Sequence, residues 1–537
     1  MKLVAFALSV LLAAPWTAAA QHDQHVVGDR LGTVHFETSC APSTRADFDR
    51  AIALLHSFEY RPAVESFNKV LAADASCAVA YWGIALCQWG NPFAGVKAGP
   101  LLERGREAAQ TGLATGTPTP REKAYLSAVN ELYANAATVL HRDRTLAYAR
   151  AMDAVQRDNP SDVEAKIFYA LAVSQTAAPT DKTYAAQLQA AGILEPLWSR
   201  YPDHPGLPHY IIHAYDHPPL AAKALDAARR YAKIAPSAPH ALHMPSHTFT
   251  RVGSWQESVE TNIASEQEAM KASVMAEALH AMDYQAYAYL QMAQDQKARA
   301  VLSRVPAVVA KLDVNAMGGA APGVAGIYAR NAIAARYALE RGAWAEAAAL
   351  EVVATQFPYA DAITHFARAL GAARSGKPAA AKPDVDRLIA LRDVLAAAKD
   401  PYWTGQVDIQ RQVATAWITF AEGKQDEGVR LMRAAADAED ATDKAAISPG
   451  PIAPARELLG EMLMAASAAG EALVAFEATM KKEPNRFRGA YGAARAAEAA
   501  GDRAKAVTLY AQVLAIASAA DGNRPELAHA RTFAQRR

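Results

Sequence analysis

Apolar residues recur at three- and four-residue spacing from about residue 45 to the end of the chain, and no stretch alternates apolar and polar residues with a period of two. Alanine, leucine, glutamate and arginine fill these stretches, and all four are good helix formers. Proline-containing breaks, for example at 159–160, 202–208 and 449–454, separate the apolar stretches. The pattern predicts an all-α chain of helices about 12 to 18 residues long, paired with their neighbours in antiparallel fashion.

An internal repeat favours one all-α architecture. A small residue stands four positions before an aromatic one in the segments 63–67, 472–476 and 506–510. The last two segments are separated by the period of a tetratricopeptide (TPR) repeat, a helix–turn–helix unit of about 34 residues in which this pair of residue types is typical. We therefore predict a TPR-like α-solenoid, a superhelix of antiparallel helix pairs. Further hairpins are predicted at about 240–270, 326–356, 359–397, 402–440 and 451–482.

The repeats are expected to form two blocks. Residues 45–310 are predicted to be an N-terminal TPR solenoid, and residues 326–537 a C-terminal one. Between them, residues 311–325 include the run 317–323, whose glycines and proline cannot hold a regular helix. This segment is either a linker between the blocks or a mobile loop over the concave face.

The N-terminus has the three parts of a secretory signal peptide. A lysine is followed by a short apolar run and an Ala-x-Ala end, so residues 1–20 are predicted to be removed by cleavage before Gln21. Residues 21–44 are then an extended segment, and the mature protein is expected in the periplasm or outside the cell. No later apolar stretch reaches the roughly 20 residues that span a bilayer, so no membrane span is expected in the mature chain.

The net charge of the chain indicates which kinds of partner it does not favour. The chain has 55 basic and 55 acidic residues, and a net charge of zero disfavours nucleic acid or an anionic membrane as the main partner.

The chain has three cysteines, Cys40, Cys77 and Cys87, which allow three different single disulfide bridges. Cys40 and Cys77 flank the first predicted hairpin, and we favour their pairing in an oxidising compartment. Cys87 lies in an apolar run, where a buried thiol is expected.

Histidines are concentrated in one region: seven of the fifteen lie between residues 204 and 247. His209 and His213 are four residues apart, and His240, His243 and His247 follow at i, i+3 and i+7. On a helix, both spacings place side chains on one face. Each group therefore presents several imidazoles in the same direction.

The repeat length relates the two groups. His243 follows His209, and His247 follows His213, by the same interval that separates the segments 472–476 and 506–510. In a repeat of that length they occupy equivalent positions on the first helices of neighbouring repeats. These helices line the concave groove, so we expect the four imidazoles to converge there.

Further residues of the same region are candidates for additional ligands or for groups that support the ligands. His240, His280 and Asp283 are predicted as additional metal ligands, the last two from the next first helix. Asp216, Tyr284 and Arg251 are predicted to lie behind the ligands and to orient them.

Converging neutral imidazoles are the ligands that zinc, copper and iron accept in proteins. The main hypothesis is therefore a transition-metal site in the groove, which activates water for hydrolysis or supports oxygen chemistry on iron or copper. Two alternatives stay open: a scaffold that binds a peptide or protein partner without catalysis, and metal storage or delivery. A small-molecule substrate is compatible with the main hypothesis, a metal site that supports catalysis. The chain has no Walker loop, dinucleotide fingerprint, Gly-x-Ser-x-Gly or Cys-x-x-Cys motif, so no catalytic residue is assigned.

The chain also resembles a family of exported bacterial TPR proteins that carry a His-Met-Pro-Ser-His motif, here residues 243–247. The matching segments are 55–58, 80–85, 209–216, 240–247 with 251–253, 364–368, 454–459 and 484–489. The resemblance spans nearly the whole mature chain and implies the solenoid fold and export. It assigns no catalytic residue.

Overall fold

The computed structural model describes residues 29–95, 97, 99–178, 180–315 and 319–535. The predicted signal peptide, residues 1–20, and the cleavage point before Gln21 lie outside the described residues. In the described part, all regular secondary structure is helical. An extended segment, residues 29–41, and a short 3₁₀ helix, Pro42–Thr44, precede the first long helix.

The first half of the chain consists of helices that pack on their neighbours in sequence order. They are α1 (Arg45–His56), α2 (Tyr60–Ala73), α3 (Ala78–Trp89), α4 (Pro100–Ala114), α5 (Pro120–Glu131), α6 (His141–Asp158), α7 (Val163–Gln175), α8 (Ala185–Arg200), α9 (Gly206–Tyr215), α10 (Leu225–Ile234), α11 (Pro239–His243), α12 (Pro245–Val252), α13 (Trp255–Lys271), α14 (Met275–Gln291) and α15 (Asp295–Val309). A second 3₁₀ helix, Ala221–Ala224, precedes α10.

The second half continues the same stacking. Its helices are α16 (Gly323–Leu339), α17 (Trp344–Ala348), α18 (Pro358–Arg374), α19 (Pro378–Ala397), α20 (Pro401–Ala421), α21 (Gln425–Asp440), α22 (Ala455–Ala465), α23 (Ala469–Lys482), α24 (Phe487–Ala499), α25 (Arg503–Ile516) and α26 (Pro525–Gln535). Each hairpin is short and buries its apolar face against the next, so the predicted all-α, TPR-like solenoid is confirmed.

The repeated aromatic side chains fill the space between successive repeats. The ring of Phe67 in α2 lies so close to Gly83 in α3 that a Cβ atom there would come within 2.1 Å of the ring. Phe476 in α23 packs in the same way on Gly492 in α24, where the distance would be 2.3 Å. Both aromatic residues are fully buried. The packing therefore depends on a glycine that faces each aromatic residue.

Two predicted hairpins differ from their expected form. In the hairpin at 240–270, the first helix is interrupted at Pro245, which has no N–H group for a helical hydrogen bond, and the chain forms α11 and α12 instead. In the hairpin at 326–356, the second helix covers only Trp344–Ala348, and residues 350–357 are not helical. The hairpins at 359–397, 402–440 and 451–482 correspond to α18–α19, α20–α21 and α22–α23.

The glycine-rich segment 311–325 is described except for residues 316–318. Its described end folds back on the first half, where the carbonyl of Ala320 accepts a hydrogen bond from the side chain of Asn91 at 3.2 Å. Across this segment, α14 and α16 pack directly on each other. The stacking of first helices is thus continuous from one half to the other.

Cys40 and Cys77 form a disulfide with their Cα atoms 4.8 Å apart, and Cys87 is a buried free thiol. The bond fastens the extended N-terminal segment to the start of α3. Among the described helices, none combines the length and the apolar character needed to cross a bilayer.

Candidate metal centre

Six histidines from consecutive first helices meet in the interior of the first half. His209 and His213 belong to α9, His240 and His243 to α11, His247 to α12 and His280 to α14. All but His213 are buried, with at most 5% of the residue exposed. Pro245 separates α11 from α12, yet all three histidines of this pair of helices remain in the group.

The first cluster comprises His209, His213 and His240. One ring nitrogen from each lies within 4.8 Å of those of the other two. The rings of His209 and His213 have centroids 4.9 Å apart, and those of His209 and His240 5.0 Å. Phe93 stacks on His213 at 4.3 Å and Phe58 stacks on His240 at 5.6 Å, so aromatic rings flank the cluster.

The second cluster comprises His243, His247 and His280, and it meets the same 4.8 Å limit. The ring of His243 lies 4.4 Å from that of His280 and 5.0 Å from that of His247. The two clusters adjoin, because His240 and His243 have ring centroids 6.0 Å apart and His213 and His247 6.2 Å.

Hydrogen bonds fix which nitrogen carries the proton in three of these rings. His209 Nδ1 lies 2.6 Å from the carbonyl oxygen of His56, and His247 Nδ1 lies 2.8 Å from a carboxylate oxygen of Asp216. His243 Nδ1 lies 2.7 Å from Oδ1 of Asn262, whose amide nitrogen donates to the Ser258 carbonyl. All three partners are acceptors, so each Nδ1 carries the hydrogen and each Nε2 carries a lone pair.

This assignment makes the second cluster unusual. Nε2 of His243 and Nε2 of His247 are 3.1 Å apart, and Nδ1 carries the single ring proton of each neutral histidine. Two lone pairs therefore face each other in a buried site. Two bonds of about 2.0–2.1 Å from these nitrogens to one ion would meet at an angle of roughly 100°, which suits tetrahedral or octahedral coordination.

Burial keeps the imidazoles uncharged. Desolvation lowers the pKa of His247, although the neighbouring Asp216 carboxylate opposes this effect. Desolvation also lowers the pKa well below 6.5, aided by neighbouring histidines, in His209, His213, His240, His243 and His280. Neutral imidazole is the form that binds metals.

Several ring nitrogens have no hydrogen-bond partner within the described part of the chain. They are Nε2 of His209, Nε2 of His213, both ring nitrogens of His240 and Nδ1 of His280. A buried polar atom without a partner costs about 1–3 kcal/mol, and several together are rare in a stable protein. Four of these five atoms belong to the first cluster, and the fifth, Nδ1 of His280, belongs to the second.

Asp216 lies behind His247 and is held by three groups. The Nε atom of Arg251 donates to its Oδ1 at 2.8 Å, and the Nζ atom of Lys444 donates to its Oδ2 at 3.2 Å. Lys444, Arg251 and His247 hold the pKa of this carboxyl well below its ordinary value, although burial opposes them. The ionised carboxylate orients the His247 ring, which corresponds to the supporting position expected for Asp216 and Arg251.

The other predicted residues of α14 face different partners. The Tyr284 hydroxyl donates to the Ser448 carbonyl at 3.2 Å and lies 3.4 Å from Nε2 of His247. Asp283 lies outside both clusters, and its Oδ1 accepts a hydrogen bond from Nε of Arg336 at 3.1 Å. The structure thus brings six of the seven predicted ligands together and places Asp283 in an ion pair.

A third group, which sequence analysis did not single out, lies beside the first cluster. Glu164 accepts hydrogen bonds from Nε2 of His56 and Nε2 of His204, both at 2.8 Å. The other nitrogens of these rings are also satisfied, by the Tyr210 hydroxyl and by the backbone N–H of Gly206. Every donor and acceptor in this triad has a partner, so it is a structural network that supports α9.

Sequence analysis also missed Asn262 and Glu277. Asn262 lies in a second helix, α13, where no repeat spacing relates it to the histidines. Glu277 stands three residues before His280 on α14, a spacing that places both on one helix face and could have identified it.

No protein-family model and no curated protein matches this chain. Solved structures similar to it include yeast Tom70, with 12% sequence identity, a TM-score of 0.34, and coverage of 92% of this chain and 95% of that chain. Another is Naa15/Naa10 bound to HypK-THB, with 12% identity, a TM-score of 0.23, and coverage of 92% of this chain and 79% of that chain.

Proposed function

We propose that the protein is a TPR-like solenoid that holds a transition metal in its histidine clusters, with His243, His247 and His280 as the principal ligands. The observation that carries this proposal is the 3.1 Å contact between two Nε2 lone pairs. The partners of the two Nδ1 atoms, Asn262 and Asp216, accept protons and cannot supply one in their place. A shared cation is the simplest way to make this arrangement favourable.

The donor set indicates the type of metal. Nitrogen ligands suit zinc, copper and iron, whereas calcium and magnesium prefer oxygen ligands. A metal bound by three imidazoles retains a position for water, whose pKa it lowers toward neutrality, and this is the chemistry of hydrolytic zinc sites. The chain's own contribution is to exclude bulk water and to hold the rings in fixed tautomers through Asp216 and Asn262.

Metal analysis of the full-length mature protein, purified without a histidine tag, tests the proposal. Wild-type protein is expected to retain zinc, copper or iron in a fixed ratio to the chain. His243→Ala and His247→Ala are each expected to lose it, because each removes one of the two facing lone pairs. His365→Ala is a matched control, since His365 is also buried but bonds to Asp384 in the second half. Folded wild-type protein that binds no metal contradicts the proposal.

Binding of a peptide or protein partner is the second candidate function, and a cleft in the second half favours it. Tyr359 and Trp403 stack there with centroids 4.2 Å apart, and Tyr402 lines the same cleft. Arg251 and Lys444 lie in its wall, so the cleft adjoins the support of the second cluster. Peptides selected from a library on wild-type protein should lose binding to Trp403→Ala and retain it with Trp198→Ala. Equal binding to both variants counts against the cleft.

We also propose that the protein acts after export, in the periplasm or outside the cell. The bond between Cys40 and Cys77 supports this location, since disulfides persist in oxidising compartments. Mass spectrometry of secreted or periplasmic material should find a mature chain that begins at Gln21. A full-length chain confined to the cytosol contradicts export.

A further inference from the structure

A buried glutamate lies at the junction of the two histidine clusters. Glu277 is in the first turn of α14, with 1% of the residue exposed. Its Oε1 accepts the backbone N–H of Ala321 at 2.6 Å. Its Oε2 has no hydrogen-bond partner among the described residues and lies 3.9 Å from Nδ1 of His240. One carboxylate oxygen is thus held by a hydrogen bond, and the other faces the first cluster.

The same glutamate is tied to the second cluster. His280 follows it by one helical turn on the same face of α14. His240, the ring next to Oε2, has its centroid only 6.0 Å from that of His243. Glu277 is therefore placed between the two groups of imidazoles.

The charge of this region lacks a counterion. Within the described residues, no lysine or arginine forms an ion pair with Glu277. A second carboxylate, Glu59, is 5% exposed and accepts the backbone N–H of His240 at 3.2 Å. Buried carboxylates without cationic partners are costly, and a divalent ion beside them removes this cost.

The glycine-rich segment holds the carboxylate in position. A Cβ atom on Gly319 would lie 2.8 Å from Oε1 of Glu277, so a larger residue there would displace the side chain. Ala321 donates to the same oxygen, and Asn91 in turn holds the carbonyl of Ala320. The segment between the two halves therefore orients Glu277 rather than only connecting them.

We propose that the protein binds two transition-metal ions side by side, one at each histidine cluster, and that Glu277 is a carboxylate ligand at their junction. This inference rests on the proposed function, since it requires that the clusters bind metal. Carboxylates and imidazoles together suit zinc and iron, and a Glu-x-x-His pair on one helix supplies ligands in two-metal carboxylate sites. The negative charge of Glu277 also reduces the repulsion between two neighbouring cations.

Zinc titration of the metal-depleted full-length protein tests the inference. Wild-type protein is expected to bind two Zn²⁺ per chain. Glu277→Gln retains an oxygen that can accept the Ala321 N–H but has no charge, so the weaker of the two sites is expected to lose at least about tenfold in affinity. Glu266→Gln is the matched control, because Glu266 is buried on α13 but pairs with Arg304 and Gln285.

A second readout separates a ligand from a structural group. Co²⁺ bound to the wild-type protein should show visible absorption bands that change in Glu277→Gln and not in Glu266→Gln. Circular dichroism establishes that each variant is folded. If the wild-type protein binds metal and Glu277→Gln has the same stoichiometry, affinity and Co²⁺ spectrum, the inference is overturned while the proposed function stands. If the folded wild-type protein binds no metal, the proposed function fails first.

Discussion

A neutral imidazole can offer a metal only the nitrogen that does not carry its proton, so the partner of each Nδ1 atom determines what a ring presents. His209, His243 and His247 each donate from Nδ1 to a fixed acceptor: a backbone carbonyl, an amide oxygen and a carboxylate. Three rings on three different helices, α9, α11 and α12, are thus oriented in the same chemical sense. The residues behind the histidines are as much a part of the site as the rings.

Removing the acceptor behind His243 tests this dependence. In Asn262→Ala, the ring is free to move its proton to Nε2, so zinc affinity is expected to fall about 10- to 100-fold while the number of ions bound at saturation is unchanged. Competition with a zinc-binding dye measures both quantities. Asn331→Ala is the control, since Asn331 is also buried but donates to the Ala360 carbonyl, away from the clusters. Equal affinity in the two variants would show that the tautomer of His243 has no influence.

The repeat length was sufficient to predict that His213 and His247 would be neighbours, and their rings are 6.2 Å apart. It did not predict how the six rings divide into two clusters, with His240 in the first cluster and His280 in the second. Which rings meet depends on the crossing of α11 and α14 and on the break at Pro245. Periodicity along the chain carries no information about either.

At the scale of helices, the solenoid is held by an aromatic side chain that enters the surface of the next repeat. Phe67 and Phe476 each precede the glycine on which they pack by the same interval in the sequence. The sequence predicts such helices well, because the apolar spacing and the breaks are local features. It does not predict the short α17, because the alanine-rich residues 343–349 have high helix propensity and give no local reason for the helix to end at Ala348.

A methyl group on the facing glycine should disrupt this packing. Gly83→Ala would place a Cβ atom within 2.1 Å of the Phe67 ring, so we expect a loss of about 1–3 kcal/mol in the free energy of unfolding. Gly192→Ala in α8 is the control: outside its own stretch of helix, no heavy atom of the described residues lies within 4 Å of the added methyl, and higher helix propensity should stabilise the protein by up to about 1 kcal/mol. Urea unfolding followed by circular dichroism compares them. A neutral Gly83→Ala would refute the packing argument.

At the scale of the whole molecule, the superhelix brings together residues that are far apart in the chain. Lys444 reaches Asp216 across 228 positions, and Trp255 donates from its indole nitrogen to the carbonyl of Asn485 at 2.8 Å. The buried Arg486 bonds to the Tyr287 hydroxyl of α14 at 2.9 Å. The second half therefore covers one side of the histidine clusters. Sequence analysis did not place Lys444 there, because the curvature of the superhelix sums small rotations over many repeats.

The N-terminal segment also connects parts of the first repeats that are far apart in the chain, and the disulfide anchors this segment. The ring of Phe36 packs 5.2 Å from that of Trp82, and the backbone N–H of Thr33 donates to the Asp203 carbonyl at 2.9 Å. The Cys40–Cys77 bond closes a loop across a sequence separation of 37, which limits the unfolded chain and contributes up to about 4 kcal/mol.

Reduction should therefore weaken the first repeats and leave distant ones intact. Because neighbouring repeats interact mainly with one another, a variant with Cys40→Ser and Cys77→Ser is expected to show faster hydrogen exchange in α1 to α5 and unchanged exchange in α20 to α23. Its thermal midpoint should be lower than that of wild-type protein and insensitive to reductant. Cys87→Ser, which alters a buried thiol outside the bond, should retain the reductant sensitivity of the wild type. Exchange that accelerates equally along the whole chain would mean that the solenoid unfolds as one unit and that the disulfide stabilises all of it.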